Sequence, residues 1–145
     1  MDWSSLEFSW RVVLAIVAGG VANFLLGALW YALLFQKPWI QSTGRTAQEI
    51  HGSGGPGAIM ALTLLGAIAT TVAVAMVYQW AGGRTVLDGL LVGLVLGLGV
   101  SFWERLKTAV YNVDDKVNIW AMFRIDAAYN VCGMAVAGMV YALIA

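Results

Sequence analysis

The chain has 145 residues, 61% hydrophobic and 11% charged, with a mean hydropathy of +0.80 and no formal net charge. A soluble domain carries about 25% charged residues to present a wet surface, so this composition makes lipid a large part of the solvent. Eight Lys and Arg balanced by eight Asp and Glu leave no basic field for nucleic acid, and one cysteine cannot close an intrachain disulfide.

In chain order, Met1 to Trp10 reads as an interfacial arm, with Trp3, Leu6, Phe8 and Trp10 among polar residues. The first apolar run, 12–35, is too long for a signal core of ~7–15 residues and ends in Trp30-Tyr31 with no small-x-small site, so it is read as a retained span. Pro38 stops it, and a polar joint follows, whose Gly52-Ser53-Gly54-Gly55 piece is flexible and whose His51 is an exposed loop residue. Pro56 opens the second span, 57–80, and Ala81-Gly82-Gly83-Arg84 is a tight turn into the third, 86–111. The joint Asn112 to Asn118 leads to the fourth, 119–144, in which Cys132 reads as a small buried side chain. Each run meets the ~20 residues needed to cross a bilayer. The predicted fold is an all-α membrane protein, one domain over residues 1–145, with four transmembrane helices in an antiparallel bundle of two hairpins.

Alternating passes put Trp3, Trp10, Tyr78, Trp80 and Tyr141 at one interface and Trp30, Tyr31, Trp39, Tyr111 and Trp120 at the other. The side of the termini holds Arg11 and Arg84, whereas the side of joints 1 and 3 holds Lys37, Arg45, Arg105, Lys107, Lys116 and Arg124. That bias predicts cytoplasmic joints and both termini outside. Val72 to Tyr78 resembles Ala135 to Tyr141, a hint of two related hairpins.

Gly89, Gly93 and Gly97, extended by Ser101, make a row without bulk on the third span, and Gly19, Asn23 and Gly27 make a comparable stripe on the first. Such rows let helix backbones approach closely in lipid. Counting along spans 3 and 4 brings Glu104, Arg105, Lys107, Arg124 and Asp126 to one boundary, with Trp30, Tyr31, Tyr129 and Asn130 at similar depth. Charges there should turn inward and pair, since a charge at mid-membrane costs about 2.5–3.5 kcal/mol on insertion scales. Two readings compete: a structural ion-pair network, and a polar pocket for a small solute, lipid head group or proton. No metal-ligand cluster, cofactor motif or catalytic Ser, His and carboxylate set is present in the sequence, so no cofactor, metal or enzyme activity is expected.

Gly27-Ala28-Leu29-Trp30-Tyr31, then Phe35-Gln36-Lys37-Pro38-Trp39, with Ile119-Trp120, Asp126 and Tyr129 opening the last helix, resemble the bacterial integral-membrane family named domain of unknown function 1761. The resemblance runs over nearly the whole chain and implies a four-helix fold in the bacterial inner membrane. Glu104-Arg105-Leu106-Lys107 is more charged than that family's pattern. The leading functional expectation is a non-enzymatic membrane protein acting as a homo-oligomer or as an accessory subunit, with the lipid bilayer and other membrane subunits as partners. The alternative is a small-solute or ion transporter or channel with a polar pocket on the side of joints 1 and 3.

Overall fold

The computed structural model describes residues 9–51 and 55–145. The expected interfacial arm, apart from Ser9 and Trp10, and residues 52–54 of the glycine-rich joint lie outside the described residues.

Ser9 opens the fold by accepting the Val12 N–H on its side chain at 3.3 Å, which caps α1, Trp10–Leu29. The helix runs on through a five-residue π turn, Trp30–Leu34, to α2, Gln36–Thr43, and α3, Ala47–His51. Next comes α4, Gly55–Trp80, and then α5, Val86–Leu96, which a second π turn, Gly97–Ser101, joins to α6, Phe102–Val110. The last helix is α7, Ile119–Ile144. Among the described residues there is no strand, and four helical stretches of 24 to 26 residues are long and apolar enough to cross a bilayer. The all-α class with four membrane-length helices is thus the one the sequence predicts.

The turn between α4 and α5 is built by Gly82, at φ 69°, and by a capping box. Thr85 accepts the Asp88 N–H at 3.1 Å, and the Asp88 carboxylate takes the Thr85 N–H at 2.8 Å, so two orphan donors of the helix start are satisfied reciprocally.

Helix α7 is the hub, packed on α1, α4, α5 and α6. Gly89, Gly93 and Gly97 all face it: a Cβ at Gly89 would strike the Gly138 carbonyl, one at Gly93 the Met134 carbonyl, and one at Gly97 the Val131 Cα. Ser101 is half-buried at the end of this row. On α1, Gly19 lies against Thr71 and the Ala137 carbonyl, and Gly27 against the Tyr129 ring. Without a hydrophobic drive between helices in lipid, this backbone-to-backbone dispersion is what attraction there relies on.

Near the Gly82 turn the bundle closes on Val12, Ala15, Ala75, Tyr78 and Tyr141. The two tyrosines meet edge to face with centroids 5.4 Å apart, and Gln79 donates to the Tyr141 hydroxyl at 2.8 Å. They were expected in the interfacial belt. Their depth along the helices is as expected, but they are 7% and 1% exposed and point into the core. Cys132 departs from its reading as well, since it is exposed on the outer surface of α7. At the opposite end α4 loosens: from Ile59 to Thr63 its residues are exposed all round, and Gly57 and Gly66 face open space.

Candidate functional site

The site begins with the end of the first span. In the π turn Trp30–Leu34 the Phe35 N–H reaches back to the Trp30 carbonyl at 2.8 Å, a wider ring than the α-helical one. Phe35 then leaves helical geometry at φ −123°, ψ 16°, and α2 starts in a new direction. Pro38 falls in the first turn of α2, where its missing N–H would have had no helical partner in any case. The break re-aims α2 without reversing the chain, which continues along α7 toward Asn118, whereas the sequence reading takes Pro38 and Trp39 simply as a stop and a belt residue.

Joint 3 fixes α2 in this pose. The Ser42 carbonyl accepts the Asn118 N–H at 2.8 Å, and Ser42 itself is 2% exposed. Gly44 turns with φ 66° directly against the Lys116 carbonyl, where a Cβ would not fit. Clamped at both joints, α2 delivers Trp39 to α7.

Asp126 is the centre of what results, 7% exposed on α7. One carboxylate oxygen, Oδ1, accepts the Tyr31 hydroxyl at 2.8 Å and the Trp39 indole N–H at 3.1 Å. The other, Oδ2, lies 4.0 Å from the Arg105 guanidinium of α6. The Trp30 indole donates to the Ile125 carbonyl at 3.2 Å, and the Tyr129 hydroxyl donates to the Asn23 side chain at 3.2 Å. Tyr31 stands edge-on to both Trp39 and Tyr129, at 5.4 and 5.1 Å between centroids. A carboxylate taken out of water loses several kcal/mol of hydration, and two neutral donors with one cation offset that cost.

Of the nine polar residues singled out in the sequence, Trp30, Tyr31, Arg105, Asp126, Tyr129 and Asn130 come together, while three do not. Glu104 and Lys107 pair with each other at 2.7 Å with side chains 64% and 58% exposed. Arg124 turns its guanidinium to the Trp120 carbonyl at 3.2 Å on the outer surface. Helical phase explains the separation. Glu104 and Lys107 lie about one turn apart on a face that Arg105 does not share, and Arg124 is ~200° around α7 from Asp126. Sequence reasoning missed Trp39 as a partner of Asp126 and Asn23 as a partner of Tyr129. A polar amide inside an apolar run was the available signal for Asn23; for Trp39 there was none short of knowing how the break at Phe35 aims α2.

Beside the carboxylate lies a cleft of about 510 Å³ between α4, α6 and α7, lined by Arg105, Tyr129, Asn130, Asn23, Thr63 and Gly66 among others. A second chamber of about 230 Å³ flanks it on the α1 side, with Phe24, Ala28, Met60 and Tyr31 in its wall. Ile59, Thr63 and Tyr129 line both. Arg105 is the charged side chain of the larger cleft among the described residues, and no hydrogen bond engages its remaining N–H groups there. The Asn130 amide likewise has no hydrogen-bond partner among the described residues.

Four membrane-length helices, interrupted by two π turns and gathered around a paired carboxylate, define a polytopic helical membrane protein with a cleft that carries one arginine. Residues 14–142 match the family model described as Protein of unknown function (DUF1761), and the chain belongs to that family. No curated protein and no solved structure matches it.

Proposed function

We propose that the protein is a non-enzymatic, membrane-embedded binding protein that takes a small polar or charged molecule into the cleft between α4, α6 and α7, on the side of joints 1 and 3, as a transporter or channel component would. The observation that carries this reading is Arg105. Its side chain is 47% exposed, lines the cleft, and has one charge partner, at 4.0 Å. An ionisable side chain near the hydrocarbon is expensive to keep and marks a functional path by default. Asp126, held by Tyr31 and Trp39, acts as the fixed counter-charge that keeps the guanidinium at the cleft wall.

Gly66 gives a direct test, since a side chain there meets nothing within 4 Å and projects into the cleft. Ligands found by a thermal-shift screen over ions, amines and organic acids should lose their effect in Gly66→Leu, with liposome flux falling in parallel. A screen without a hit, on protein that keeps its full stability, turns the reading to the second one.

That second reading is an oligomer or accessory subunit. It is favoured by the first half of α4, exposed from Ile59 to Thr63, where a neighbouring helix has room to lie. A strict monomer in mild detergent and in nanodiscs counts against it. For either reading we place the protein in the bacterial cell membrane with both termini outside, on the basic-residue bias of the joints. Cysteines introduced at Ser53 and Lys116 should then be shielded from an impermeant thiol reagent in intact cells, and labelling of both before lysis inverts the orientation.

A further inference from the structure

We infer that the molecule held in the cleft is an anionic phospholipid, its head-group phosphate on Arg105 and part of a chain in the apolar chamber beside Tyr31; this rests on the binding reading above.

Three features of the cleft converge on that ligand. The first is charge. The larger cleft presents the Arg105 guanidinium and the unpartnered Asn130 amide, and no carboxylate lines it among the described residues, so the group that complements it is an anion. A guanidinium offers a planar fork of N–H donors that fits two phosphate oxygens at once, and here a single long ion pair to Asp126 leaves most of that fork unspent. The second is the two-part shape. The cleft of about 510 Å³ shares Ile59, Thr63 and Tyr129 as a wall with a chamber of about 230 Å³ lined by Phe24, Ala28 and Met60, so a lipid chain could occupy the chamber once those side chains give way. A free ion or small hydrophilic solute has no use for the second chamber, whereas an amphiphile fills both.

The third is access and depth. Helix α4 packs on α5 near their shared turn but has no comparable contact with α6, so the cleft opens sideways between α4 and α6. Arg105 stands five residues before the end of α6, ~8 Å along the helix axis, which is head-group depth. A lipid can thus enter from the bilayer without leaving it.

The experiment titrates the detergent-solubilised protein with phosphatidylglycerol, with phosphatidylcholine of the same chains and with inorganic phosphate, following tryptophan fluorescence and counting retained lipid by native mass spectrometry. Saturable uptake of one phosphatidylglycerol per chain is expected, with phosphatidylcholine and phosphate each weaker by about tenfold or more, the worth of one charged hydrogen-bonded contact. Arg105→Gln should erase the preference for phosphatidylglycerol. If that variant fails to fold, Arg105→Lys keeps the charge without the fork and should still lower the affinity. Gly66→Leu should remove the bound lipid at an unchanged melting temperature.

Equal binding of the two lipids, or an affinity for phosphatidylglycerol that Arg105 variants leave untouched, overturns the inference. So does a phosphate response as strong as the lipid's, which would identify a free anion as the ligand. A change of oligomeric size in Gly66→Leu with lipid stoichiometry intact would mean that the α4 face is a helix contact, and it also overturns the proposal. Should phosphatidylglycerol fail while a screened solute binds and is blocked by Gly66→Leu, the lipid is wrong and the cleft reading stands. If Gly66→Leu alters the response to no probe at all, both fall.

Discussion

The two ends of this bundle are built on opposite principles. Toward the Gly82 turn, α1, α4, α5 and α7 close on Val12, Ala15, Ala75, Tyr78 and Tyr141, with Gly89 and Gly138 placing two backbones in contact. Toward joints 1 and 3, α4 stands off; the π turn and α2 are tied to α7 by hydrogen bonds on Asp126 and by Ser42 on Asn118, and α6 joins through Arg105 at 4.0 Å and the Phe102–Phe123 ring contact. Dispersion between bare backbones is short-ranged and unforgiving of added volume. Hydrogen bonds to a carboxylate tolerate an adjacent gap, because their geometry is fixed by the donors and not by filling space. Here the open cleft sits beside a tied carboxylate that is not in its wall, with Arg105 as the side chain the two share.

The contrast is broken most severely at the tight end. Gly93→Leu drives a side chain into the Met134 carbonyl, a neighbour that cannot rotate away, and should cost about 3 kcal/mol or more. Loss of the cooperative melt of the α5 and α7 pair, read by circular dichroism in mild detergent, checks it. At the loose end Asp126→Leu comes next, at about 3 kcal/mol or less, since it strands the Tyr31 hydroxyl and the Trp39 N–H away from water.

Asp126→Asn keeps an oxygen for those donors and deletes the charge. A fully buried pair broken this way typically costs ~3–5 kcal/mol, but Arg105 is nearly half exposed and can turn to head groups, so about 1 kcal/mol is expected in the same melt. A loss as large as that of Asp126→Leu would mean that Arg105 has no route to water. Glu104→Gln removes an exposed i,i+3 pair and should move stability by less than about 0.5 kcal/mol. Gly66→Leu should stay within about 0.5 kcal/mol as well, because it fills open space; a larger penalty would place another helix against that face.

How legible these two ends are in the sequence differs for the same reason. The tight end rests on periodicities: apolar runs of span length, and glycines at 89, 93 and 97 on one face. Both are properties of a single helix and can be counted. The polar end depends on phase and on the break at Phe35. Depth along the helices brought five charges to one boundary, but rotation about each helix decides which of them meet, and the π turn Gly97–Ser101 shifts the phase of everything on α6. Periodicity reading assumes unbroken α-helix, so it found Asp126 and Arg105 among candidates without separating them from Glu104, Lys107 and Arg124. Trp39 reaches Asp126 across 87 positions of sequence, through a joint that composition alone marks merely as polar.

A π turn holds one residue more than the helix around it requires, and that surplus has a consequence for how the chain can vary in length. Losing a residue within Gly97–Ser101, which has helical Leu96 and Phe102 on either side, would close the turn to ordinary α-helix and keep the flanks continuous. The same deletion in the middle of α1 would swing one flank by ~100° against the other and scatter the Gly19, Asn23 and Gly27 face. Single-residue gaps among relatives should therefore gather at Gly97–Ser101, which acts as an expansion joint in an otherwise rigid rod.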